Sequence, residues 1–231
     1  MKNKFTLIDT AGQLTAIFFG NLPPRALWPN VSSKILERYK NLGQVAFLQK
    51  VGPEYQVEMM GGELSINGTL ATAYLIGKQT NKKAIKLKIT GLGRQIKARL
   101  KGKTITLFLP TNIVQSIQPK LVALNGIKYL LSKGLPREKI LSRKQKAFLK
   151  QVTRNTPAAG IIFYDGDKII PVIYVKKTNS LVWETACGSG SLAYFLVSGN
   201  ENVIQPSGKT VKIAKKNDTL VISMPIKEVK S

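Results

Sequence analysis

Two stretches of this chain share four identities in thirteen positions and stand half a chain length apart. Ser65-Ile66-Asn67-Gly68-Thr69-Leu70-Ala71-Thr72-Ala73-Tyr74-Leu75-Ile76-Gly77 aligns without gaps on Cys187-Gly188-Ser189-Gly190-Ser191-Leu192-Ala193-Tyr194-Phe195-Leu196-Val197-Ser198-Gly199. Gly68 meets Gly190, Leu70 meets Leu192, Ala71 meets Ala193 and Gly77 meets Gly199, while Thr69 and Ser191 are a conservative pair. A glutamate precedes each copy, Glu63 and Glu184. Each copy reads as a small-residue turn feeding a buried apolar helix. The simplest arrangement is two similar halves, residues 1–109 and 110–231, each with one such element. If the halves pack face to face, Ser65 and Cys187 flank one cleft. The alternative is two unrelated apolar helices that happen to begin with glycine-rich turns.

The chemistry of the second copy is the more pointed. A helix start leaves backbone N–H groups without partners, so it attracts negative charge. A small anion is held there, and a thiol there has its thiolate favoured and its pKa lowered. Ser189 and Ser191 suit a cap, and Gly188 and Gly190 let the backbone approach a ligand. Cys187 is the only cysteine, which excludes an internal disulfide and any multi-thiolate metal site. The chain has no histidine, so Ser-His-Asp and Cys-His arrangements and the usual zinc sites are excluded as well. Cys187 is then the most reactive ordinary acid or base near neutral pH.

Taken in order, Phe5–Asp9 and Leu14–Phe19 read as a hairpin around Thr10–Gln13. Residues 22–28 read as a loop, and Ser32–Leu42 as a helix capped by Ser32 or Ser33 and stopped by Gly43. Short strands follow at Gln44–Lys50 and Tyr55–Met60. From Ala84 to Leu109 apolar and polar residues alternate, as in a basic antiparallel meander with one face exposed. Pro110-Thr111-Asn112 is the expected crossing between halves. Strands are expected at Leu121–Asn125, Ile127–Leu131, Gly160–Tyr164, Ile169–Val175 and Leu181–Trp183, with a basic helix over Arg137–Val152. A last hairpin pairs Thr210–Ile213 with Thr219–Ser223, its final strand free to return to the first half.

A net charge of +24 and the absence of any acid between Glu63 and Glu138 favour non-specific polyanion binding, so a basic nucleic-acid-associated protein is the alternative function, against solvated strand faces or a general charge bias. Aromatic residues are not interleaved with the basic run, so a base-stacking platform is missing. The N-terminal residues are positive but Asp9 interrupts them, and no window is apolar for long enough to cross a membrane, so the expectation is a soluble cytoplasmic protein without a signal peptide. Gly188-Ser189-Gly190-Ser191-Leu192-Ala193 also fits a loose G-x-G-x-x-A dinucleotide fingerprint, but in a setting of antiparallel strands that such a site does not use.

Glu184-Thr185-Ala186-Cys187-Gly188-Ser189-Gly190-Ser191 resembles the second cysteine motif of diaminopimelate epimerase and related cofactor-independent amino-acid racemases. Met60-Gly61-Gly62-Glu63-Leu64-Ser65-Ile66-Asn67-Gly68 resembles the first, with serine where that motif has cysteine. Ala11-Gly12-Gln13 resembles the family's N-terminal turn, with glutamine for its substrate-binding asparagine, and Gln205-Pro206-Ser207-Gly208 resembles its C-terminal segment. The Gly-Gly-Glu form of the first motif, and Val182-Trp183-Glu184 before the second, look most similar to the histidine-racemase branch. The resemblance implies an α/β (α+β) fold of two pseudo-symmetric halves, each a mixed or antiparallel sheet wrapped around a central helix. It also implies proton abstraction and return at an amino-acid α-carbon, with no cofactor and no metal, and a possible homodimer. By position, Cys187 is one acid/base and Ser65 stands in the place of the other. Asn67, Gly68, Gly188 and Ser189 line the substrate carboxylate site, with Gln13, Glu63 and Glu184 beside it. An alkoxide is far harder to form than a thiolate, and Glu63 is the one neighbour in sequence able to help Ser65. The readings left open are a slow or one-directional epimerase, a one-base lyase, a binding protein without catalysis, and an engineered serine. The family's arginine segment that reads the diaminopimelate side chain has no counterpart, since Lys176-Lys177-Thr178-Asn179-Ser180 stands there.

Overall fold

The structure, a computed structural model, describes residues 5–39, 41–89, 92 and 94–229. Strands β1 (Phe5–Thr10) and β2 (Gln13–Phe19) form the expected hairpin. Helix α1 (Trp28–Arg38) leads to β3 (Leu42–Val51), which runs parallel to β2, and β4 (Glu54–Met59) returns antiparallel. Helix α2 (Ile66–Thr80) follows, then β5 (Ala84–Ile89) parallel to β4, and β6 (Gln95–Lys101) and β7 (Thr104–Pro110) as the antiparallel meander. The chain leaves β7 through a short 3-10 turn at Thr111–Ile113.

A related run of elements follows, with two more strands in it. Strands β8 (Val114–Gln118), β9 (Leu121–Leu124) and β10 (Ile127–Lys133) are antiparallel neighbours. Helix α3 (Arg143–Val152) leads to β11 (Ala158–Asp165), parallel to β10, and β12 (Lys168–Val175) returns antiparallel, carrying the short β13 (Ser180–Trp183) on its other side. Helix α4 (Gly188–Ser198) precedes β14 (Asn202–Ile204), which touches β12 in parallel, and β15 (Thr210–Lys216) and β16 (Thr219–Val229) complete the chain's antiparallel run. Strand β16 pairs with β15, with β7 along Thr219–Pro225, and with β1 along Ile226–Val229. Those pairings close β1 through β7 and β16 into a barrel, while β15 to β8 continue as a sheet from its wall. The protein is thus mixed α+β and dominated by sheet.

Alternation explains the walls. In β5 Ile85, Leu87 and Ile89 point inward and Lys86 points out; β6 repeats this with Ile96 and Ala98 inside and Lys97 and Arg99 outside. The interior of the ring is filled by α2, buried from Ile66 to Ala73 and again over Leu75–Gly77, and packed on β1, β2, β3, β5, β6 and β7. Helix α4 is buried from Gly188 to Tyr194 and packs on β8 to β11 and β15. A helix apolar on all sides is stable only inside such a shell. Each buried Leu or Ile adds roughly 1.5–3 kcal/mol through the water it sheds.

Two expected helices have different bounds. Helix α1 begins a turn early, at Trp28, because Pro29 sits in the first turn, where its missing N–H costs nothing. The Trp28 ring stacks on Phe47 with centroids 4.2 Å apart. Ser33 does not cap; its hydroxyl donates to Pro29 O at 3.0 Å. Gly43 is not the helix stop but the bulge in β3, where the register against β2 slips between Leu14 and Thr15. Helix α3 begins at Arg143 rather than Arg137, since Ser142 and Gln145 form a reciprocal capping box.

Candidate active site

The two related stretches place two helix starts at one spot, and α2 and α4 touch. Ser65 is the N-cap of α2, its Oγ accepting from Gly68 N at 3.0 Å. Cys187 is the N-cap of α4, its Sγ accepting from Gly190 N at 3.2 Å. Both caps have extended backbone, as an N-cap requires. Ser189 and Ser191 therefore do not cap. Ser191 Oγ donates to Cys187 O at 2.6 Å, and Ser189 turns toward Tyr129. Gly188 is fixed by space: a Cβ there would lie 2.7 Å from Ile66 Cγ2 and 2.9 Å from Met224 Cε.

Four carboxamides fix the two starts, and two of them, Asn67 and Gln13, cross from one half of the chain to the other. Asn67 Oδ1 accepts from Gly188 N at 2.6 Å, and its Nδ2 donates to Thr10 O, Thr10 Oγ1 and Ala186 O at 3.2–3.3 Å. Gln13 Oε1 accepts from Thr185 N and Thr185 Oγ1, both at 2.8 Å. It can reach them because the bulge residue has no side chain; a Cβ on Gly43 would fall 1.2 Å from Gln13 Nε2. Gln205 Oε1 accepts from Cys187 N at 2.9 Å, while its Nε2 donates to Ser191 Oγ. Gln44 Nε2 donates to Thr15 Oγ1 at 2.8 Å, and its Oε1 accepts the Ser65 hydroxyl at 2.6 Å. The help expected for Ser65 from Glu63 is thus absent. The hydroxyl donates to a neutral amide oxygen, and the Glu63 carboxylate accepts from Gly61 N at 2.9 Å instead.

Between the two caps lies a cavity of about 20 Å³ open to water centres, room for about one water. Ser65, Cys187, Glu63, Glu184, Asn67 and Ser189 all line it. Gln13, Gly68 and Gly188 stand behind this lining, and the Gly68 and Gly188 amides are already engaged by Ser65 and Asn67. Gln44 and Tyr129 line the cavity too, although the sequence singled out neither.

Burial sets the electrostatics. The Glu63 carboxyl is pushed up to about 7 by desolvation, against hydrogen bonds from its own and the Gly61 backbone and the charge of Lys177. The Glu184 carboxyl is also pushed up to about 7, chiefly by desolvation, with the Glu63 charge adding to it and a hydrogen bond from Cys187 opposing it. The Cys187 thiol lies well above its ordinary value. Desolvation is the largest cause, then the Glu184 charge, with the Gly190 N–H and the Ser189 hydroxyl pulling the other way. This reverses the expectation of a lowered thiol pKa: burial and a carboxylate neighbour outweigh the helix start in the closed cavity. The resting site therefore holds a neutral thiol beside two carboxyls poised near neutrality.

Residues 12–229 match the family described as the histidine racemase CntK N-terminal domain. The chain belongs to that family. A histidine racemase from Fusobacterium nucleatum subsp. nucleatum strain ATCC 25586 is 26% identical over 96% of this chain and 92% of its own length. A histidine racemase from strain ATCC 23726 is 25% identical over 97% and 94%. Among solved structures, a predicted epimerase from Pseudomonas aeruginosa has a TM-score of 0.67 at 11% identity, covering 99% of this chain and 98% of that one. A hydroxyproline epimerase from Agrobacterium vitis with bound trans-4-hydroxy-L-proline has a TM-score of 0.61 at 12% identity, over 98% and 90%. A PhzF family protein from Enterococcus faecalis has a TM-score of 0.61 at 15% identity, over 98% and 96%. These likenesses show the shared fold, and family membership supports an amino-acid racemase.

Within the CntK family setting, the lysine segment before the second motif takes a definite place. Lys177 is exposed, with Nζ 3.9 Å from where a Gly62 Cβ would stand, and its charge acts on Glu63. Gln44 and Tyr129 are the lining residues that the sequence did not single out, and Gln205, behind the lining, is quoted there without a role. Gln205 carried a signal in the Gln205–Gly208 segment; Tyr129, on an ordinary strand, carried none.

Proposed function

We propose that this protein is a cofactor-independent histidine racemase in which Cys187 is the acid/base on one face of the substrate α-carbon and Ser65 stands in the place of the acid/base on the other. The observation that carries the reading is the convergence of two helix starts, capped by Cys187 and Ser65, on one cavity lined by Glu63 and Glu184. A substrate carboxylate placed between the starts of α2 and α4 meets backbone N–H groups and the positive ends of both helices, which stabilise charge that builds on the substrate as its α-proton leaves. A thiolate on one face is the base. The organisation this implies is diaminopimelate epimerase-like: halves 1–109 and 110–231 related by pseudo-symmetry, each around one helix, with the reacting carbon between them. The cavity is too small for an amino acid, so substrate entry separates its walls, exchanging internal partners of the Gly68 and Gly188 amides for the substrate. Ser65 in the second acid/base position makes the protein mainly a one-base exchanger.

The test is proton NMR in D₂O on L-histidine and D-histidine with the wild type and Cys187→Ala. Loss of the α-proton signal with wild type alone is the expected result, with exchange outrunning the appearance of the other enantiomer. Exchange that survives in Cys187→Ala would remove Cys187 from its role, and no exchange with either enantiomer would remove histidine.

A further inference from the structure

Tyr129 is the bulkiest of the fully buried side chains, and it sits on β10 beside the second helix start. Its ring lies against Gly160, its register partner on β11, where a Cβ would come within 2.6 Å of the ring. The missing side chain at Gly160 gives the ring its place, and the ring carries the hydroxyl into the cavity. There Tyr129 Oη is 2.6 Å from Ser189 Oγ and 3.9 Å from Cys187 Sγ, and Ser189 Oγ is 3.7 Å from the same sulfur. The three atoms form a closed triangle. Two hydroxyl protons serve it: whichever oxygen donates across the short contact, the other hydroxyl is left to donate to the sulfur. Burial, and then the Cys187 charge, push the Tyr129 hydroxyl well above its ordinary value, so it stays protonated and able to donate.

We propose that Tyr129 is a positioning residue for the Cys187 thiolate, fixing through Ser189 a hydroxyl donor on the sulfur. This rests on the reading of Cys187 as the acid/base. With Gly190 N–H already on Sγ at 3.2 Å, the pair supplies a second, uncharged donor to the sulfur on which the anion forms. The charged groups that face the sulfur are the Glu184 carboxyl directly, the Glu63 carboxyl through Glu184, and Lys177 through Glu63.

The single cysteine makes this measurable without a substrate. Protein labelled with ¹³C at the cysteine Cβ gives one resonance, whose titration follows Cys187 alone. Tyr129→Phe keeps the ring on Gly160 and deletes the hydroxyl. The midpoint is expected to rise by about one pH unit, a tenfold loss in thiolate at a given pH below it. Ser189→Ala, which alters no ring packing, is expected to move it the same way. The double variant should go no further than the larger single change, because the two hydroxyls act as one unit. A wild-type midpoint in Tyr129→Phe overturns the proposal, and so do fully additive shifts, which describe two independent donors. The titration is blind to turnover, so the proposal can fail while the racemase reading stands, and α-proton exchange can fail while the midpoint still moves.

Discussion

A serine hydroxyl becomes a base only if something removes its proton, and Ser65 only donates a hydrogen bond to the neutral amide oxygen of Gln44. A thiol in the same place is the better base, because its ordinary pKa lies below that of a serine hydroxyl by several units. Ser65→Cys should therefore raise the rate of enantiomer interconversion by about a hundredfold, within the range that positioned general acid–base groups supply. The check is chiral chromatography of the reaction from each enantiomer; unchanged interconversion would count against a facing pair. At this scale the sequence was most legible where a residue type was scarce or a pattern repeated. Cys187, Ser65, Glu63, Glu184, Asn67 and Ser189 stand in one lining because the two motifs name them. Gln44 and Tyr129 were out of reach, because what brings each to the cavity is strand register, a bulge at Gly43 and a bare position at Gly160. The protonation of Cys187 was also misjudged for a physical reason: a helix start is visible in sequence, whereas the desolvation that outweighs it belongs to the packed cavity.

Elements were readable in proportion to how local their causes are. The hairpin at Thr10–Gln13 and the meander from β5 to β7 follow from turn residues and alternation. The start of α1 depended on a Trp–Pro pair packing onto β3, and that of α3 on a reciprocal cap six residues beyond the expected start. Pairing of β16 with both β7 and β1 joins segments far apart in sequence, which no local pattern states in full. The start of α4 is the element most sensitive to a single methyl group. Gly188→Ala must push Ile66 or Met224 aside, with an expected loss of about 1–3 kcal/mol. Urea unfolding reads that loss directly, and the same substitution should slow α-proton exchange, since it separates the starts of α2 and α4. Full stability in the variant would mean that the two helices approach less closely than described.

For the molecule as a whole, the two buried carboxyls tie stability to pH. Each rises from 4.5 to about 7 on folding, so the native state binds more protons than the unfolded chain between those values. Stability is then greatest below about pH 4.5, as far as this pair is concerned, and falls as pH rises toward 7. The fall is about 3 kcal/mol from the buried Glu63, with a smaller contribution from Glu184, which is only half-buried and screened by water. Urea midpoints between pH 4.5 and 8 should show the decline in wild type and a flatter profile when Glu63→Gln and Glu184→Gln are combined. An unchanged slope in the double variant would place the effect elsewhere.

Strand β16 sets an order of events for the molecule. Everything from β8 to β15 must be synthesised before β16 exists to seal the ring between β7 and β1. Until then the first seven strands are an open sheet with two unpaired edges, and α2 has no complete shell. The first half is therefore held unfinished during translation, exposed to edge-to-edge pairing with other nascent chains, and its survival depends on how quickly the second half delivers its closing strand.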